Sequence, residues 1–311
     1  MRVEILSFNM RWIAYSLPLC SLAHPAGYGL VPGQRLRHSS CVHHVRSGAE
    51  LQRRDDGVIA AVHPDEPGQE TLYAPCAHAD KVPGNAISSD MAVAAPAYIA
   101  NGYVTSAWVT NDTNIPADGV GRLDAQIYTP TLPSDLDAGK STVFLWVGTE
   151  FESKSTVSVL QPVLSVGPSA AGGPPRTTWG AACWYVGPLH TFVSDFIDVS
   201  ASEVVDTSMV LKDGKWTVSA AVGGSNATLT VSAAITLKQS EALVAMEAFQ
   251  ISKCSQYPNQ YGTYFNNLQL QSASGAPFSP QWFTHDYVTA CNSSTTIHQP
   301  SYVSMYWNPT L

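Results

Sequence analysis

An all-β domain, sandwich or barrel, behind a largely irregular N-terminal leader is the fold class this sequence predicts, and three observations carry it. Charged residues are only 13% of the 311, against about 25% in an average globular chain, and turn-forming and β-compatible residues fill the gap. From about residue 96 onward, short β-branched and aromatic runs alternate with turn clusters at intervals of about 8 to 12 residues, the pattern of a sandwich or barrel. The apolar fraction of 45%, with 10% aromatics, is ample for one packed core.

Residues 1–95 read as leader or pro-segment. Residues 1–54 hold seven Arg and two Glu, net +5, whereas residues 55–311 hold nine Lys or Arg and twenty-two Asp or Glu, net −13. A basic leader before an acidic body suggests an electrostatically attracted propeptide, which acidification would loosen by neutralising carboxylates. Arg11 precedes an apolar stretch, residues 12–23, with the length of a signal-peptide core, though Pro18 interrupts it.

The body, 96–311, then yields strands in order: 142–147 (TVFLWV), 156–164 (TVSVLQPVL), 182–186, 192–199, 207–211, 216–222, 227–231 and 264–270. Lys212-Asp213-Gly214-Lys215 reads as a hairpin turn, and 169–175 (SAAGGPP) as a loop. Residues 241–250 (EALVAMEAFQ) favour helix by propensity and strand by context.

Several function classes drop out. A net charge of −8 and a pI near 5.5 argue against nucleic-acid partners, which need a basic face to displace phosphate counterions. No apolar run reaches the 18 or more residues of a spanning helix. Phosphate-binding glycine loops, the G-x-S-x-G elbow and H-E-x-x-H are missing, and no C-x-x-C pair offers a zinc site, so neither metal nor organic cofactor is expected. His285-Asp286 reads as a loop or structural feature. Of the six cysteines, Cys254 and Cys291 flank a turn-rich stretch and are expected to form a disulfide. Sequons at Asn111, Asn226 and Asn292 fit secretion and glycosylation.

The candidate site rests on polar residues in apolar strands, because burying an unpaired amide or carboxyl costs roughly 2 to 7 kcal/mol. A period of two puts Gln161 on one face with Val157 and Val159, and, if 241–250 is a strand, Glu247 on one face with Leu243, Ala245 and Phe249. A carboxyl so placed has a raised pKa.

The runs WVG (146–148), VLQPVL (159–164), ACWYV (182–186), FIDVSASEVVDTSMVL and AMEAF (245–249) together resemble the eqolisin-type glutamic peptidases. That resemblance implies a concanavalin A-like antiparallel β-sandwich, secreted with a propeptide and acting on polypeptides in acid through a Gln/Glu dyad. The dyad would be Gln161 and Glu247, 247 minus 161 or 86 residues apart, with Glu247 as general acid/base and Gln161 as the amide that orients water and donates to the oxyanion. Trp146, Trp184 and Tyr185 would line the cleft, and a monomer is expected. Two positions depart from the family pattern: Pro162 and Val163 follow the Gln where the family has a Gly, and Cys183 stands where it has a glutamate. A noncatalytic sandwich that binds carbohydrate or peptide in the manner of a lectin is the competing reading.

Overall fold

The computed structural model describes residues 28–31, 34–77, 98–110, 114–137, 139–153 and 156–311. Strands run in chain order as β1 (Tyr28–Val31), β2 (Gln34–His38), β3 (Val42–His44), β4 (Glu50–Arg53), β5 (Ile59–Val62), β6 (Glu70–Tyr73), β7 (Ala100–Val109), β8 (Val120–Tyr128), β9 (Thr142–Ser153), β10 (Thr156–Gly167) and β11 (Arg176–Val186). They continue as β12 (Thr191–Val193), β13 (Ile197–Val199), β14 (Val204–Lys212), β15 (Lys215–Val222), β16 (Ser225–Ser232), β17 (Glu241–Ile251), β18 (Gly262–Ser272), β19 (Pro277–Phe278), β20 (Phe283–Asp286), β21 (Ser294–Gln299) and β22 (Tyr302–Tyr306). Two of these sheets make a sandwich, so the all-β class stands.

The first sheet has the order β20-β7-β17-β9-β10-β11-β12-β3, and the second β21-β22-β18-β8-β14-β15-β16-β4-β5-β6. Pairing among the body strands is antiparallel throughout. Between the sheets lies the main core, with Leu145, Val147, Leu164, Cys183, Tyr185, Val244 and Met246 from the first and Leu123, Ile127, Met209, Val218 and Leu229 from the second.

Burial patterns separate the two sheets. Strands β14 to β16 alternate buried and exposed positions, because one face meets the core and the other meets water. In the first sheet β17 is buried at almost every position. Its outer face carries a second apolar cluster of Phe144, Trp146, Val159, Val163, Ala182, Trp184, Val186, Leu243, Ala245 and Phe249. A strand apolar on both faces reads as a continuous run, which is why TVFLWV and EALVAMEAF show no alternation. Residues 241–250 are accordingly strand: burial on both faces outweighs the helix propensity of Ala, Leu, Met and Glu.

Residues 1–95 contribute short strands to the structure. Strands β1 to β6 fall within this span, and two of them extend the sandwich: β3 adds in parallel to β12, and β4 adds in parallel to β16. Open sheet edges offer unpaired N–H and C=O groups, and short segments such as ELQR satisfy them without any strong apolar run of their own. Arg46 pairs with Glu66 and Arg54 with Glu70 within residues 34–77, Lys215 pairs with Glu50 at 2.6 Å, and His44 Nε2 lies 3.3 Å from Asp195. The stretch expected as one strand over 192–199 divides into β12 and β13, which pair with opposite ends of β11.

Two disulfides are present, Cys254–Cys291 and Cys41–Cys76, and Cys183 is a free, fully buried thiol in the main core. The 12–23 stretch, Cys20 and Asn111 lie outside the described residues. Among the described residues no helix is long and apolar enough to cross a membrane, and no group of three or more His, Cys, Asp or Glu side chains gathers as a metal site.

Candidate active site

Four neighbouring strands, β17, β9, β10 and β11, build the outer face of the first sheet, and their registers fix where each side chain stands. Glu247 of β17 lies opposite Phe144 of β9. Gln161 of β10 lies opposite Trp184 of β11. Continuing the β9–β10 register from Leu160↔Thr149 places Gly148 opposite Gln161. Glu247 and Gln161 therefore share a face with β9 between them, offset by the four residues from Phe144 to Gly148, or two side-chain rows. Trp146 fills the row between. Glu247 is 1% exposed and Gln161 0%, so both are as buried as the apolar residues around them.

Local sequence explains the floor. A Cβ on Gly148 would come 2.8 Å from the Trp146 ring and 3.1 Å from the Leu160 carbonyl, so only glycine lets the indole lie along β9 beside Gln161. Next to it, Pro162 has no N–H to give. It lies in the β9–β10 ladder between Leu160↔Thr149 and Val163↔Trp146. The indole N–H groups of Trp146 and Trp184 are buried and find no acceptor among the described residues. An unsatisfied buried donor costs about 1–3 kcal/mol, so two on one face are a cost to the fold.

The β7 side holds residues that the sequence did not mark. Between Met246↔Thr105 and Glu247↔Tyr103 the β17–β7 register slips by one, a bulge at Val104. Without the extra residue Val104 would face Glu247; with it, Tyr103 does. Bulges re-aim side chains in this way. The Val104 carbonyl also accepts the backbone N–H of Tyr287 at 3.0 Å and of Val288 at 3.1 Å, so the same irregularity tethers the segment after β20. Tyr287 then stands with its ring centroid 5.3 Å from that of Tyr103. Burial holds the Tyr287 hydroxyl above the usual tyrosine range; bonds with Ser106 and Trp108 oppose this, and the charges of Glu150 and Glu247 add to it. Glu150, 3% exposed, shares the face with Glu247 and lies opposite Val159, one row beyond Gln161. Nothing in the local sequence marks the bulge, and without it Tyr103 has the wrong parity.

Of the three aromatics expected to line the cleft, Trp146 and Trp184 stand on the site face. Tyr185 does not: as the neighbour of Trp184 on one strand it points into the main core, where its hydroxyl donates to the Ile235 carbonyl at 2.6 Å. Cys183 has the same inward parity and donates to the Ala227 carbonyl at 3.2 Å, and burial raises its thiol far above the usual range. Cys183 thus lies on the far side of the sheet from Glu247 and Gln161. His285 and Asp286, expected in a loop or a structural role, lie on strand β20. The Asp286 Oδ1 accepts the Thr295 N–H at 3.0 Å and the Thr105 hydroxyl.

Compared with solved structures, the chain is similar to scytalido-glutamic peptidase bound to a peptide-based transition state analogue, with 13% identity, a TM-score of 0.44, and coverage of 66% of this chain and 98% of that one. It is similar to SCP-B, a member of the eqolisin family of peptidases, in complex with the tripeptide Ala-Ile-His, with 13% identity, a TM-score of 0.43 and the same coverage. An alginate lyase from Klebsiella pneumoniae covers 84% of this chain and 82% of its own at 10% identity and a TM-score of 0.24. No family model and no curated protein sequence matches.

Proposed function

We propose that this chain is an acid-acting endopeptidase of the glutamic type, in which Glu247 and Gln161 hydrolyse peptide bonds without metal or organic cofactor. The observation that supports it is the placement of one carboxyl and one amide, both buried, on the same face of one sheet around a tryptophan floor. In this reading Glu247, ionised, takes a proton from a water as the water oxygen bonds to the scissile carbonyl carbon. The Gln161 Nε2 donates to the oxyanion that develops, and Glu247 returns the proton to the amine nitrogen as the C–N bond breaks. A low dielectric strengthens each of these interactions. Pro162 removes a backbone donor beside the amide and stiffens it, and β11 pairs with Gln161 through Trp184.

Secretion belongs to the same proposal, with the two disulfides and the exposed sequons Asn226 and Asn292 in its favour. So does the leader as a removable pro-segment, and a monomeric mature form. The test is cleavage of an unfolded protein between about pH 2 and 7 by the purified chain, with pepstatin present, beside Glu247→Gln and Gln161→Ala. A rate that is confined to acid and falls by at least about 10²-fold in each variant supports the dyad. A folded, leader-free chain with no turnover refutes it and leaves peptide or glycan binding without catalysis.

A further inference from the structure

Arg37 is a buried cation that meets no carboxylate among the described residues. It is 6% exposed, and its donors go to neutral oxygens, the carbonyls of Gly187 and Pro188 and the hydroxyl of Thr191. Such bonds satisfy N–H groups without cancelling the charge, and a buried charge left unmatched is costly. Against the same 187–190 turn lies a cavity of about 60 Å³, walled by Arg53 and Ile59 of the β4–β5 hairpin and by Tyr185, Leu189, His190 and Ile235 of the sandwich. The charges around it are of one sign. The guanidiniums of Arg37 and Arg53 both act on the Tyr185 hydroxyl, and that of Arg37 acts on His190 as well. Arg54 pairs with Glu70, whereas Arg53 makes no ion pair among the described residues, and no carboxylate lines the cavity. Asp55 and Asp56 in the hairpin turn are exposed, and the Asp56 Oδ1 accepts the Val58 N–H at 3.1 Å. His190, only 3% exposed, adds a buried Nε2 with no hydrogen-bond partner among the described residues. Its Nδ1 lies 3.0 Å from the His43 Nε2. With His43 donating across that contact, the His190 proton sits on Nε2, a buried donor without an acceptor.

We propose that this cavity binds a small monovalent anion, a halide or a short carboxylate such as acetate, held between the Arg53 guanidinium and the His190 Nε2–H in the field of Arg37. Its volume equals the share of roughly two waters at about 30 Å³ each, which suits a halide or acetate and is too small for an organic phosphate. Ile59, Leu189 and Ile235 make part of the wall apolar. A low dielectric there strengthens the attraction to the guanidiniums, and the cost of stripping water favours chloride and bromide over the strongly hydrated fluoride. Arg53 comes from the N-terminal segment and His190 from the sandwich, so an anion between them joins the two as a carboxylate does in an ion pair. The site uses neither Glu247 nor Gln161 and stands whether or not the chain cleaves peptides.

The full chain is melted at about pH 7 in the sodium salts of fluoride, chloride, bromide and acetate at one fixed ionic strength, beside Arg53→Gln and Arg53→Lys. Arg53 is exposed on β4, so neither variant disturbs the core. General salt effects act alike on the wild type and Arg53→Gln and cancel in the difference between them. On passing from fluoride to chloride, bromide or acetate, the wild type should gain about 3 °C or more in Tm over Arg53→Gln once the site is filled, with a rise that saturates as one site. Arg53→Lys, which keeps the charge, should retain part of the gain. A gain confined to the halides identifies a halide as the occupant, and one confined to acetate a carboxylate; either upholds the site. The same salt response in Arg53→Gln as in the wild type, or a gain that never saturates, overturns it.

Discussion

Acid should loosen the packing of β2 and β3 on the sandwich through His190. His190, 3% exposed, lies just before β12, and its Nδ1 is 3.0 Å from the Nε2 of His43 on β3. Arg37 of β2 reaches the same spot, donating to the carbonyls of Gly187 and Pro188 and to the Thr191 hydroxyl. Tyr73 and Phe192 pack their rings against His43, and Tyr185 stacks on Phe192. Burial first, then the charges of His43 and Arg37, bring the His190 pKa from 6.5 down to about 4. An unfolded chain therefore takes up this proton near pH 6.5, whereas the folded chain resists it until about pH 4. The stabilisation is complete above 6.5, falls as the pH drops through this window, and is gone below about 4. At 1.36 kcal/mol per pH unit the gap amounts to about 3 kcal/mol. Burial lowers His43 as well, which acts in the same direction.

Calorimetric unfolding of the wild type and His190→Asn at pH 7 and pH 4 measures it. The wild type should lose about 3 kcal/mol more than the variant over this interval, or about 6 °C for a chain of this size. Asp118 and Asp135, whose carboxyls are lowered by hydrogen bonds from Ser274 and Lys253 respectively, titrate alike in both proteins and cancel in the difference. Amide exchange should quicken at Val45, whose N–H bonds to the Val193 carbonyl at 2.8 Å. Identical pH dependence in the two proteins would refute the reasoning.

Three further outcomes are expected. Gly148→Ala, by forcing the Trp146 ring off β9, should cost about 1–3 kcal/mol and alter the near-UV tryptophan circular dichroism; an unchanged spectrum would mean that the ring does not depend on the missing Cβ. Converting Cys254 and Cys291 to Ser opens a link spanning 37 residues and should lower stability by about 4 kcal/mol in the chain-entropy description, read as a shift in denaturant midpoint. The Cys183 peptide, followed by mass spectrometry, should resist thiol labelling in the native protein and react on unfolding, because the thiol is fully buried and its pKa is raised.

Much of this site was legible because a strand has a period of two. Counting from Val157 and Val159 puts Gln161 on a definite face, and counting from Leu243 does the same for Glu247, whichever strands lie between them. The same count, applied to the tryptophan–tyrosine pair, shows that Trp184 and Tyr185 cannot both line one cleft, and the structure leaves Trp184 there. Cys254 and Cys291 were legible from the turn-rich chain between them, and the all-β class from the spacing of turn clusters.

Relations between distant strands were not legible. That β9 lies between β17 and β10, so that Trp146 floors the gap between Glu247 and Gln161, depends on a pairing order that no local pattern encodes. Strands β3 and β4 pair where β12 and β16 present open edges. The bulge at Val104 is a mismatch between two ladders and has no residue of its own to announce it. The sequence by itself determined which side chains share a face within each strand, since alternation is a local property of extended backbone. Tertiary structure alone decided which faces meet and in what register, because those depend on hydrogen bonds between segments far apart in the chain, and so it alone brought Tyr103 and Tyr287 to Glu247.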